Sequence, residues 1–115
     1  MWIDYLIVGG RHPVGDLFLI VIARLIKKHA RGLDFICRSG DEEFLLVLPG
    51  TTLSTVKKRA EVIRKKCAEI TIIHEWAPLK VTLSFGVATY PDHGRDAEEV
   101  MIKADKALYR SKHSG

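Results

Sequence analysis

Cysteine is scarce in this chain. Only Cys37 and Cys67 occur, and neither stands at metal-ligand spacing with another cysteine or a histidine. That excludes a disulfide scaffold and a zinc finger or ribbon. One disulfide between the pair stays open, and a reduced intracellular state is the simpler expectation. Long apolar runs are missing too. The longest, Leu17 to Ala23, falls far short of the roughly 20 residues that a membrane span needs. Residues 1–8 show no basic leader ahead of an apolar stretch, so no signal peptide is expected. Internal repeats, low-complexity tracts and Pro/Gly/Ser-rich linkers are absent. These absences point to one compact domain, 1–115, and 47% hydrophobic residues suffice for its core.

The net charge of +4 favours anionic partners, whether nucleotide, nucleic acid or membrane surface. For nucleic acid one feature is missing. The basic residues between Lys57 and Lys66 have no aromatic residues among them on which bases would stack, and a solvated face is expected there.

The segments alternate in type. Ile3 to Val8 is β-prone, and Gly9-Gly10-Arg11-His12-Pro13 breaks it. From Gly15 or Asp16 to about Ala30 the pattern is helical and apolar almost all round, which predicts burial on several sides or a partner contact. Asp34–Arg38 and Glu43–Leu48 flank the short turn Ser39-Gly40-Asp41-Glu42 and read as a β-hairpin. Thr52 to about Ile70 is helical, with Val56, Ala60, Ile63, Cys67 and Ile70 in one stripe. Lys80 to Ala88 alternates as a half-buried strand. Asp96 to Lys112 is the last helix, opened by Asp96 and Glu99 at capping-box spacing. The order β-α-β-β-α-β-α, undefined only near residues 71–76, predicts an α+β fold with helices on a mainly antiparallel sheet.

The chemistry concentrates at the hairpin tip, where Asp41, Glu42 and Glu43 follow Gly40. Three adjacent carboxylates repel one another, and a divalent cation relieves the repulsion. Mg²⁺ characteristically takes one or two protein carboxylates plus substrate phosphates. On spacing alone, a solvated acidic turn is the favoured account of the run.

The wider pattern adds to this. Arg38-Ser39-Gly40-Asp41-Glu42-Glu43-Phe44, with an apolar strand ending at Pro49, resembles the GGDEF hairpin. Residues 81–88 (VTLSFGVA), residues 104–112 (ADKALYRSK) and His12-Pro13-Val14-Gly15-Asp16 resemble three further motifs of that family, in the right order. The resemblance implies a palm-like, nucleotidyl-cyclase or ferredoxin-like domain in cytoplasmic signalling. Such a domain condenses two GTP into cyclic-di-GMP with release of two pyrophosphates, uses Mg²⁺, works as a face-to-face homodimer and is fused to or regulated by a sensory domain. It implies Glu42 and Glu43 as metal-binding and catalytic acids, and Gly40 and Asp41 as the nucleotide-facing turn. Asp16 would bond the guanine edge and Lys112 the phosphates. Arg31 and Asp34 match the family's Arg-x-x-Asp inhibitory site for cyclic-di-GMP, with an ordinary helix-end Arg and strand-start Asp as an equal alternative. Helix capping by Asp16 and a favourable charge near a helix end for Lys112 are the plain alternatives.

Three departures from the family pattern stand out. Asp41 replaces the second glycine, and an uncompensated charge ~4 Å from a phosphate costs about 4 kcal/mol at an effective dielectric of 20. Counted back without a gap, the family's first-strand metal-binding Asp falls before Met1 and its guanine-binding Asn falls on Ile7. Asp4 substitutes only if the intervening segment is shortened, and loss is the favoured reading. The chain also stops at Gly115, before the Arg with which the family usually continues. Impaired catalysis is therefore expected, with a non-catalytic cyclic-di-GMP receptor or a dimerisation module as alternatives. A second inhibitory-site arginine is not expected, because Val62 stands at its position.

Overall fold

In the computed structural model, residues 3–11, 15–40 and 43–113 are described, without the side chains of Arg11, Asp16, Phe18 and His74. Asp41 and Glu42 therefore lie outside the described residues, as does the Asp16 side chain.

The elements are β1 (Ile3–Arg11), α1 (Gly15–Lys28), β2 (Phe35–Gly40), β3 (Glu43–Pro49), α2 (Leu53–Ala68), β4 (Thr71–His74), β5 (Ala77–Lys80), β6 (Thr82–Tyr90) and α3 (Ala97–His113). Four strands form an antiparallel sheet in the order β2-β3-β1-β6. The α+β class and mainly antiparallel sheet expected from the sequence are what the fold shows.

β1 is central and nearly all apolar because both of its faces are covered. Leu6 and Val8 join Leu46, Phe44, Ile22, Ile26 and Val56 on the α1/α2 side. Tyr5 and Ile7 join Leu45, Ala88, Val100, Ala104 and Leu108 on the α3 side. Each fully buried Leu, Ile, Val or Phe among them contributes about 1.5–3 kcal/mol through removal from water. The predicted α2 stripe is the buried one: Val56, Ala60, Ile63 and Cys67. Thr52 caps that helix by accepting from the Thr55 amide. Cys37 is exposed, Cys67 is buried, and both are free thiols.

The structure completes or corrects four expectations. The undefined stretch is a β4–β5 hairpin whose two-residue turn, Glu75-Trp76, has positive φ at both positions. That turn ordinarily uses Asn-Gly, so the signal that announces such hairpins is missing. In β6 it is Gly86 and Ala88, not the Leu83/Phe85/Val87 side, that are most deeply buried, because α3 approaches the Gly86 backbone directly, while Thr82 on the same face is exposed. α1 buries Ile22 and Ile26 and leaves Leu17 and Ile20 exposed, so of the two expected readings, burial on several sides or a partner contact, the second stays open. Asp96 does cap α3, accepting from the Glu99 amide, yet Glu99 reaches back to the amide of Arg95 and not to that of Asp96.

Candidate active site

The hairpin β2–β3 ends at Gly40 and Glu43, which pair across the ladder after a bulge following Arg38. Arg38 donates from Nε to the Gly40 carbonyl at 2.9 Å and so folds over the tip. A Cβ on Gly40 would stand 3.1 Å from Glu43 Oε2, so the turn and the acid are closely packed.

Three elements bring chemistry to this end of the sheet. Glu43 opens β3. Lys112, on the last turn of α3, sets its Nζ 3.8 Å from Glu43 Oε1, and both side chains are about a quarter exposed or less (20% for Lys112, 27% for Glu43). β1 arrives alongside and leads into α1, with only residues 12–14 between them. A cleft of about 660 Å³ adjoins Glu43, with Ile7 and Ser39 on the sheet side and Met101, Ile102 and Asp105 on α3.

The register answers the question of the first-strand carboxylate. The β1 residue opposite Glu43 is Gly9. A Cβ there would lie 2.9 Å from Lys112 Nζ, so the lysine occupies the space above a residue with no side chain. Asp4 pairs with Leu48, five ladder positions away. Its side chain is fully buried and accepts from the Thr51 and Thr89 hydroxyls. Asp4 is thus a buried structural acid at the opposite end of the strand, and the substitution that a shortened segment would have allowed is not realised. Among the described residues no group of three His, Cys, Asp or Glu is placed to hold a metal ion. At the hairpin tip itself they place Glu43, which faces an ammonium group, while Glu98 and Asp105 line the adjoining cleft from α3. The described residues therefore do not by themselves make a magnesium site.

A second cluster stands at the other end of the hairpin. Arg31 donates to Asp34 Oδ1 from Nε at 3.1 Å and from Nη2 at 2.8 Å, and its backbone amide donates to Oδ2 at 2.8 Å. Nη2 also reaches the Pro49 carbonyl at 2.9 Å. Sequence reasoning missed Arg59, which was expected on a solvated face. Its side chain is 13% exposed and donates to Asp34 Oδ2 at 2.6 Å. The only available signal was its position, one turn before Val62 on α2. A cleft of about 500 Å³ opens here, lined by Ala23, Lys27, Arg31, Asp34 and Ile36.

Burial pushes the Asp34 carboxyl up, but the Arg31 hydrogen bonds and the charges of Arg59 and Arg31 outweigh it and hold the group below its ordinary 3.8. A depressed carboxylate contributes stability that is present above the unfolded value, near 3.9, and is lost as pH falls through the folded one. Asp34→Asn is therefore expected to flatten the acid limb of a plot of urea midpoint against pH below about pH 4. An unchanged acid limb would show that Asp34 is not a coupled ionised group.

The fold is that of a palm-like α+β domain with its acidic hairpin tip beside the C-terminal end of α3. The model of the diguanylate cyclase, GGDEF domain family matches residues 10–115, and the chain belongs to that family. Diguanylate cyclase A of Treponema denticola is 38% identical over 104 residues, covering 90% of this chain and 28% of that protein. Response regulator PleD of Caulobacter vibrioides is 34% identical over 106 residues, covering 90% of this chain and 23% of that protein. The chain thus spans about a quarter of the length of these relatives. The GGDEF domain of DgcB from Caulobacter crescentus, solved in complex with c-di-GMP, superposes with a TM-score of 0.85 at 26% identity. That alignment covers 99% of this chain and 74% of that one. No helix among the described residues is long and apolar enough to cross a membrane.

Proposed function

We propose that this chain is a cyclic-di-GMP signalling module whose condensation of two GTP into cyclic-di-GMP and two pyrophosphates is impaired. The supporting observation is the β1–β3 register, with Gly9 opposite Glu43 and Asp4 held at the far end. In this reading Glu42 and Glu43 are the acids retained from the family. Gly40 and Asp41 form the nucleotide-facing turn, Asp16 meets the guanine edge and Lys112 the phosphates. The active form would be a homodimer, placed in the cytoplasm and governed by a sensory domain.

Mg²⁺ supplies charge neutralisation of phosphate wherever such a reaction runs. Here the chain's own contribution is limited. Glu43 and Lys112, 3.8 Å apart, partly neutralise one another, which weakens what Lys112 offers a phosphate. The Asp41 carboxylate adds repulsion beside that phosphate. The expected outcome is no Mg²⁺-dependent turnover of GTP above that of Glu43→Gln, followed by chromatography of the nucleotides. Wild-type turnover well above the variant's would refute the impairment.

The Arg31–Asp34–Arg59 cluster favours a second reading, that of a cyclic-di-GMP receptor. Arg31 is held by Asp34 and the Pro49 carbonyl with its Nη1 group uncommitted among the described residues. A guanidinium fixed this way loses little freedom on binding a guanine or a phosphate.

A further inference from the structure

One large apolar side chain contributes nothing to the core. Trp76 stands at the tip of the β4–β5 hairpin and is 98% exposed. Its φ is 67°, and that of Glu75 beside it is 51°. A bulky residue enters this left-handed region only under strain. Burial within the domain does not offset that strain, because almost none of the indole is covered. The gain has to come from outside the domain.

The hairpin is a firm carrier for this tip. β4 and β5 form their own two-stranded sheet between α2 and β6. Ile72 is buried in the core, and Leu79, opposite it, packs against the same cluster. The next pair along, Ile73 and Pro78, therefore turns to the other face. There Ile73 is 63% exposed, and Pro78 is exposed too. Lys80 pairs with Thr71 at the base of the hairpin, shares that outer face and is exposed. Lys65 and Lys66, also exposed, stand in the last turn of α2, just before β4 begins. Base and tip lie about 10 Å apart, at roughly 3.3 Å per strand residue.

We propose that this hairpin docks on an anionic lipid surface. Trp76, Ile73 and Pro78 enter the headgroup boundary, and Lys80, Lys65 and Lys66 are drawn to the headgroups. Apolar groups held at a membrane interface sink about 5–10 Å. Immersion of the tip to that depth brings the base of the hairpin level with the charged layer. Tryptophan favours this boundary, and lysine stems reach from it to the water. Charge decides between a membrane and a protein pocket. A pocket for one indole needs no cations behind it, whereas an anionic surface attracts all three lysines within about one Debye length. The surface uses none of Glu43, Arg31 or Asp34, so it goes beyond the signalling function proposed above.

Vesicles of phosphatidylcholine mixed with phosphatidylserine, added to the whole chain, test the proposal. With Trp2→Phe removing the other tryptophan, emission reports Trp76 directly. That emission is expected to move to shorter wavelength, and the chain to sediment with the vesicles. Vesicles of phosphatidylcholine alone are expected to bind about tenfold more weakly or worse. Glycine suits the turn backbone better than tryptophan does, so Trp76→Gly is expected to fold as the parent does by circular dichroism. Its binding to the anionic vesicles is nevertheless expected to fall about tenfold or more. Lys65→Glu/Lys66→Glu/Lys80→Glu is expected to lose a similar factor. Absence of both the emission shift and cosedimentation overturns the proposal, as does equal binding to the neutral vesicles, by folded Trp76→Gly or by the triple lysine variant.

Discussion

Arg31→Ala is expected to lower the affinity for cyclic-di-GMP by on the order of a hundredfold. Two charge-assisted hydrogen bonds at about 1.5–3 kcal/mol each set that scale, and about 3 kcal/mol corresponds to two powers of ten. Arg31→Lys is expected to recover only part of the loss. A lysine keeps the charge but cannot bond Asp34 through two nitrogens and the Pro49 carbonyl at once, as Arg31 does. Removing the arginine also leaves Asp34 with Arg59 alone among side-chain donors. Calorimetry on both variants checks the pair. Equal affinity of wild type and Arg31→Ala would place the binding site elsewhere.

Gly86→Ala is expected to be the most damaging single methyl in the fold. A Cβ there would stand 2.1 Å from the Ala104 carbonyl oxygen and 2.4 Å from the Leu108 amide nitrogen. Both are helix backbone, which cannot rotate aside as a side chain can. α3 must therefore lift from β6 and with it loosen Val100, Ala104 and Leu108, all essentially buried. Overpacking of this kind costs about 3 kcal/mol or more, and for a domain of this size that lowers Tm by roughly 10–20 °C. Gly32→Ala is the control, because nothing lies within 4 Å of the added methyl. Thermal melts of the two variants should separate widely. A Gly86→Ala melt indistinguishable from that of Gly32→Ala would mean that α3 does not rest on this strand.

Much of this could be read from the residues beforehand, and the reasons are particular. The α2 stripe repeats at a helical period, and Thr52 is a good capping residue. The hairpin β2–β3 has apolar strands and a glycine between them, so its place followed from alternation and turn chemistry. The β4–β5 hairpin was illegible because Glu75 and Trp76 adopt a conformation that side chains resist, and only the surrounding chain holds them there. Gly86 looked like one member of an alternating polar face, since nothing local tells that a helix will press on it. Arg59 looked like one cation among several on α2. Its role depends on Asp34, 25 residues earlier, and such pairings appear only once the sheet has set the register.

The same limit bears on the hairpin tip. Counting residues without a gap put the family's first-strand acid before residue 1, yet a first strand, β1, lies at Ile3–Arg11 beside β3, so the count could not say what stands opposite Glu43. The ladder supplies that: Gly9 faces Glu43, and Lys112 fills the space above it. Asp4, the obvious substitute by residue type, is spent on two threonine hydroxyls at the other end of the strand.

The central claim is that product recognition outlives condensation in this chain. Calorimetric titration with GTP and with cyclic-di-GMP, each with and without Mg²⁺, tests it most directly. The expected result is cyclic-di-GMP binding that is indifferent to Mg²⁺, alongside GTP binding that Mg²⁺ does not tighten. GTP binding strongly enhanced by Mg²⁺, with no binding of cyclic-di-GMP, would contradict it.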